Sequence, residues 1–89
     1  MIKNKKFFEN KVARLERMLN DKVKDRIELK LSCYKPDGNS RYQIEVTDKK
    51  LKKIICFLPR GSHYRINDFD KYIEGFLDAI EELPFFNVK

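Results

Sequence analysis

The sequence predicts an α+β fold: an N-terminal helix, an antiparallel sheet of three or four strands, and a C-terminal helix packed on one face of that sheet. Two patterns support this prediction. Apolar residues recur every three to four positions near both ends of the chain, as in amphipathic helices, and alternate with polar residues in between, as in half-buried strands. A chain of 89 residues has the length of a single small domain.

The first element is a helix predicted at about residues 5–21. Its apolar residues lie at offsets of 0, 4, 7 and 11 positions, which places them on one helical face. They are Phe8, Val12, Leu15 and Leu19, with Met18 beside them.

Two alternating strands follow. RIELKLSCY (26–34) and RYQIEVT (41–47) each carry apolar residues on one side and mainly polar residues on the other. Between them, KPDGNS (35–40) contains proline, aspartate, glycine and asparagine, which favour turns. The two strands therefore form a hairpin, and their apolar sides face the core.

The third strand, LKKIICFL (51–58), is apolar on both faces. Strict alternation places Ile54, Cys56 and Leu58 on one face and leaves Ile55 and Phe57 on the other. Ile55 and Phe57 then need a cover, which the N-terminal helix or the C-terminal tail would most commonly provide. A second copy of the chain, forming a homodimer, and a ligand with flat apolar faces such as nucleobases are the alternatives.

The stretch LPRGSHYRINDF (58–69) connects this strand to the last helix. Gly61 and Ser62 predict a turn, and HYRI (63–66) is long enough for a short fourth strand. Asn67 or Asp68 is a suitable N-cap for a helix at about 68–83, and Pro84 is expected to end it. The apolar stripe of this helix comprises Phe69, Ile73, Phe76 and Ile80, widened by Tyr72, Leu77 and Leu83.

Charge is unevenly distributed along the chain. Twenty Lys and Arg residues against fourteen Asp and Glu residues give a net charge of +6, yet residues 66–83 contain six acids and one base. The rest of the chain is therefore strongly basic, and the folded protein should have a basic side that attracts polyanions. Simple solvation of a small surface would also account for the excess of bases.

Several functional classes lack support in the sequence. No run of apolar residues is long enough for a membrane span or a secretory signal, which predicts a cytoplasmic protein. Cys33 and Cys56 fit buried, reduced thiols better than a zinc site or a disulfide. His63 with Asp68 and Asp70 is not a convincing metal or acid–base cluster, because the aspartates lie where helix caps are expected. We therefore predict no enzyme activity, no cofactor and no metal.

The strand SRYQIEVTDK and the segment YRINDFDKYIEGFLDAIEEL resemble the repeat of the PUR family of purine-rich-element binders, and more distantly the Whirly-type single-stranded DNA binders. The similarity covers about residues 26–82. It is closest at Arg41 and Tyr42 and in the pattern Ile66, Phe69, Tyr72, Ile73, Phe76 and Leu77. The resemblance implies a four-stranded sheet that binds single-stranded DNA or RNA on its front, with a helix on its back.

The resemblance, together with the charge pattern, suggests a set of binding residues. Lys30, Arg41, Lys52 and Lys53 would contact phosphates, and Tyr34, Phe57 or Tyr64 would stack on bases. Alternation counted back from an inward Ile66 places Arg65 and His63 at the basic rim of the sheet, with Arg60 brought close by the bend at Gly61. For each of these residues an ordinary solvated surface position is the alternative.

Two other classes share the predicted layout. Without a fourth strand, the order of elements matches double-stranded RNA-binding domains, but the start of the last helix reads NDFDKY, with two acids where those domains need lysines. We therefore reject that function. Small phage-encoded inhibitors, such as some anti-CRISPR proteins, also have this layout and act by binding a host protein. They share no motif, so a protein partner stays open as the alternative function.

Overall fold

A four-stranded antiparallel sheet lies between two helices in sequence, as predicted. The computed structural model describes residues 5–35 and 40–86, the last four of these by backbone alone, so the predicted turn at 36–39 lies outside the described residues. The elements are α1 (Lys5–Val23), β1 (Ile27–Tyr34), β2 (Arg41–Asp48), β3 (Lys53–Leu58), β4 (Tyr64–Arg65) and α2 (Ile66–Phe86). The predicted α+β fold is confirmed, including the short fourth strand.

The central strand of the sheet is β2. It pairs along its whole length with β1, and its other side is shared by β3, which pairs with residues 44–48, and β4, which pairs with residues 41 and 42. β3 and β4 therefore run in line along one edge of the sheet. Residues 59–63 interrupt this composite edge, so LPRGSHYRINDF is an excursion within an edge strand that leads directly into α2.

Both helices pack on the same face of the sheet. Phe8 of α1 contacts Tyr42 of β2 and Phe69 of α2, with ring centroids 4.8 and 5.0 Å apart. Phe8 and Phe69 are completely buried, so this three-ring contact is the centre of the core. The other buried apolar residues are Val12, Leu15, Leu29, Leu31, Ile44, Val46, Ile73, Leu77 and Ile80.

Side chains of α1 occupy part of the outer edge of β1. The Asn20 amide accepts a hydrogen bond from the Ile27 N–H and donates one to the Ile27 carbonyl, both at 2.8 Å. The Glu16 carboxylate accepts a hydrogen bond from the Leu29 N–H, also at 2.8 Å. Residues four apart share one helix face, so Glu16 and Asn20 together supply bonds that another strand would otherwise make.

Ion pairs join the two helices. Lys11 donates to Asp70 at 2.8 Å and also to Glu74, and Arg14 donates to Glu81 at 2.6 Å. Burial lowers the pKa of Lys11, but the hydrogen bonds to Asp70 and Glu74 outweigh this and hold it above its ordinary value of 10.5. The acids of α2 are thus directed in part toward the bases of α1.

The bounds and the buried face of α2 differ from the prediction. The helix begins at Ile66, directly after β4, so Asn67 and Asp68 lie in its first turn and neither is the N-cap. It continues to Phe86, so the hydrogen bond missing at Pro84 does not end it. Leu77 is buried and Phe76 only half-buried, because the stripe facing the sheet passes through 69, 73, 77 and 80.

We predict that Phe69→Ala lowers the free energy of unfolding by about 3–5 kcal/mol, because it removes a fully buried ring from the centre of the core. Thermal or denaturant unfolding measures this loss. Phe57→Ala removes the same atoms from an exposed position and should cost about 1 kcal/mol or less. Equal melting temperatures for the two variants would contradict the placement of the core.

Candidate functional site

The face of the sheet opposite the helices is the candidate site, and we call it the open face. The pairing register assigns it the polar positions of β1 and β2. Within the described residues neither helix covers it, since both pack against the other face. From β1 and β2 its residues are Glu28, Lys30, Ser32, Tyr34, Arg41, Gln43, Glu45 and Thr47.

A β-bulge changes what β3 contributes to the open face. Cys56 pairs with Val46 but Ile54 pairs with Thr47, so Ile55 is an extra residue in the strand. The bulge moves Ile54 to the face of Phe57, and the strict alternation predicted for β3 is therefore wrong at this residue. Ile54, Ile55 and Phe57 are 49%, 48% and 40% exposed, and together we call them the apolar patch.

No described helix covers the apolar patch. Cys56 and Leu58 do pack against the core, as predicted, because they keep the register of Val46 and Ile44. The expected cover by α1 is wrong, since α1 lies on the other face of the sheet. The tail at 87–89 lies outside the described residues. The patch is therefore the apolar part of the candidate site.

A lysine-rich turn, residues 49–53, lies at one end of the open face. Its lysines are exposed, as is Leu51. Asp48 stabilises the turn through its carboxylate. The carboxylate accepts hydrogen bonds from the N–H groups of Lys50 at 2.9 Å and Leu51 at 3.0 Å, and from the Arg26 side chain at 2.9 Å. The lysine turn comprises Lys49, Lys50, Lys52 and Lys53 around Leu51.

The hydrogen bond from the Leu51 N–H, with further contributions from Arg26 and the Lys50 N–H, holds the pKa of Asp48 below its ordinary value of 3.8, against the opposing effect of burial. The ionised carboxylate is therefore the form that stabilises the turn. It fixes the backbone at Lys50 and Leu51, in the middle of the turn that contains the four lysines.

The opposite end of the open face is a second basic group, which we call the arginine rim: Arg41, Arg60, His63 and Arg65. Arg41 of β2 and Arg65 of β4 are directly paired. The His63 ring packs against the Tyr34 ring of β1, with centroids 5.4 Å apart. Arg60 is exposed on the excursion between β3 and β4.

Gln43 fixes the excursion on the open face. Its side-chain amide donates to the carbonyls of Pro59 at 3.1 Å and Ser62 at 3.3 Å. Gln43 is consequently buried, although its side chain lies on the outward, polar face that the alternation of β2 predicts. Residue alternation gave its direction correctly but could not show that the loop folds back over it.

The structure brings most of the predicted binding residues together. Tyr64 is the exception: it shares the core side with Tyr42, and its ring contacts Tyr72 with centroids 5.8 Å apart. Sequence reasoning did not single out Lys49, Lys50, Gln43 or Ile54. The run DKKLKK was the available signal for the two lysines. The predicted residues placed on the open face or at its two ends are Lys30, Tyr34, Arg41, Lys52, Lys53, Phe57, Arg60, His63 and Arg65.

Other kinds of site find little support in the described part of the chain. Both cysteines are free thiols; Cys56 is half-buried, but Cys33 is exposed at the end of an edge strand, so its predicted burial is wrong. Among the described residues, no cluster of three or more His, Cys, Asp or Glu side chains is arranged to bind a metal. Neither helix has, over its described residues, the length and apolar character needed to cross a bilayer.

Comparisons of the chain with protein-family models, with curated proteins and with solved structures find no significant match. The similarity to PUR repeats is therefore a hypothesis based on the sequence pattern alone.

We predict that Asp48→Ala lowers the melting temperature at pH 7, because the turn loses its hydrogen bonds to the ionised carboxylate. The folded-state pKa of Asp48 lies below its ordinary value of 3.8, so this stabilisation is complete above that pH and is lost as the pH falls through the lower value. The melting temperatures of the parent protein and of Asp48→Ala, measured from pH 7 to pH 2, should therefore converge as the pH falls. The control Asp78→Ala, an exposed change on α2, should change stability little. If the melting temperatures of the parent and of Asp48→Ala differed by the same amount from pH 7 down to pH 2, the role given to Asp48 would be refuted.

Proposed function

We propose that this chain is a non-catalytic nucleic-acid-binding module that holds single-stranded DNA or RNA across the open face, and that it acts in the cytoplasm. The observation that carries the proposal is a sheet face that neither helix covers over the described residues, with one exposed ring, Tyr34, at the arginine rim and another, Phe57, between that rim and the lysine turn. Tyr34 is 55% exposed and Phe57 40% exposed, so both rings are accessible to bases. Stacking accepts any base, at about 1–3 kcal/mol for each.

The distribution of acids indicates a path for the strand. Residues 49–67 contain no acid, but six Lys and Arg residues and His63. This segment forms the lysine turn, the composite β3–β4 edge and the excursion. The acids of the open face, Glu28 and Glu45, lie instead on β1 and β2. We infer that the strand follows the β3–β4 edge, over Phe57, and meets the Tyr34 ring of β1 only at the arginine rim.

The length of the sheet suits one continuous ligand. The seven residue steps from Arg41 to Asp48 span about 23 Å at the usual rise of a strand. One extended nucleic-acid strand can therefore contact the arginine rim and the lysine turn at once. Each phosphate neutralised releases counterions, so affinity should fall steeply with salt.

We predict that the double charge reversal Lys52→Glu with Lys53→Glu abolishes binding of labelled single-stranded oligonucleotides and leaves the fold intact, since both side chains are exposed. Fluorescence anisotropy across a salt series measures the affinity and its salt slope. The matched control reverses two neighbouring exposed lysines at the start of α1, Lys5→Glu with Lys6→Glu, and should bind nearly as the parent does. Equal losses in both double variants would show that net charge alone, and no defined site, governs binding.

One observation favours a second candidate function. Ile54 and Ile55 make the apolar patch partly aliphatic, which suits a protein surface better than nucleobases, so the chain would act as a small inhibitor that docks on another protein. A second copy of the chain could occupy the same patch.

Ile55→Lys separates the two functions. It should leave oligonucleotide affinity unchanged or slightly raised, because it adds a base beside the proposed path. It should abolish docking of a protein partner or of a second copy. Size-exclusion mass and capture from a host lysate check this. A single stoichiometric protein partner, lost in Ile55→Lys and accompanied by only weak, salt-sensitive oligonucleotide binding, would replace the nucleic-acid proposal with the inhibitor.

A further inference from the structure

The arginine rim places two like charges side by side. Arg41 and Arg65 are direct partners across β2 and β4. Like charges directly opposite one another on neighbouring strands are unfavourable. Within residues 5–35 and 40–86, neither guanidinium forms an ion pair with a carboxylate. On β2 the nearest acid of the open face is Glu45, four residues or about 13 Å along the strand.

The Arg41 side chain also has a hydrogen-bond donor that no described residue satisfies. Its Nε is buried and has no hydrogen-bond partner among the described residues. Tyr34 and His63 lie on the two sides of β2 and their ring centroids are only 5.4 Å apart, so both rings lean over this strand. A buried guanidinium nitrogen without a partner is unfavourable, and local violations of this kind concentrate at binding sites.

The backbone that carries these side chains is fixed before any ligand binds. Gln43 holds the carbonyls of Pro59 and Ser62, and β4 pairs with β2 directly after this excursion. Arg65 and the neighbouring His63 are thus held by backbone pairing and by a side-chain clamp. A site fixed in advance loses little conformational freedom when it binds its ligand.

We propose that Arg41, Arg65 and His63 bind a phosphate monoester, and that in this protein it is the terminal phosphate of the nucleic-acid strand. The proposal rests on the function proposed above. The two guanidiniums balance the roughly two negative charges of a phosphate monoester. Their N–H groups and the imidazole can donate hydrogen bonds to its three non-bridging oxygens. An internal phosphodiester has one charge, and a carboxylate has one charge and two oxygens, so either would leave one arginine uncompensated.

The test compares one single-stranded sequence in three forms: with a 5′-phosphate, with a 3′-phosphate and with hydroxyls at both ends. We expect one phosphorylated form to bind at least tenfold more tightly than the hydroxyl form. Arg65→Ala should remove this difference while retaining weaker binding of all three forms. Arg17→Ala, which removes an exposed arginine from α1, should preserve the difference.

Inorganic phosphate separates failure of this inference from failure of the proposed function. It should raise the melting temperature of the parent protein and of Arg17→Ala, but not that of Arg65→Ala. Oligonucleotides that bind equally well with and without terminal phosphates would overturn the inference and leave the proposed function standing. If no oligonucleotide binds but phosphate stabilises the parent and not Arg65→Ala, the phosphate site stands and the nucleic-acid function fails. Absence of both effects would overturn both.

Discussion

The contact among Phe8, Tyr42 and Phe69 determines which side of this molecule is available for binding. One ring comes from each helix and one from the central strand, and the first and last of these residues are sixty-one positions apart in sequence. Their burial brings both helices to the same face of the sheet. A four-stranded sheet usually buries two faces or presents a polar one to water. Here the second face is presented to water with exposed rings and aliphatic side chains.

The packing of the helices also separates charge. α1 contains six bases and three acids, and α2 contains one base and six acids, so the helical layer has a net charge of −2. Residues 24–65, which form the sheet and its connections, contain eleven bases and five acids, a net charge of +6. The pairs Lys11–Asp70 and Arg14–Glu81 join opposite charges within the helical layer. The bases of the sheet therefore keep their field toward solvent.

Periodicity predicted this architecture because both helices and the first two strands bury one continuous face, and such a face leaves a regular pattern in the sequence. The details of the site depend on contacts that leave no such pattern. The bulge at Ile55 reverses the direction of Ile54, and no single residue in KIICFL signals it. The burial of Gln43 comes from a loop that starts sixteen residues later. The start of α2 at Ile66 follows from the pairing of β4, which overrides the capping preference of Asn67 and Asp68. The two basic ends were visible in composition, whereas the direct pairing of Arg41 with Arg65 required the strand register.

The hydrogen bonds between β1 and the side chains of Glu16 and Asn20 have a consequence for how this sequence can evolve. Asn20 bonds to the main chain of Ile27 and Glu16 to that of Leu29, and main-chain groups are the same in every residue except proline. The side chains at positions 27 and 29 can therefore change to other apolar residues without loss of these hydrogen bonds. The carboxylate and the amide on α1 have no such freedom. Distant relatives of this chain should preserve these two helix positions more strictly than the identity of the apolar residues at 27 and 29.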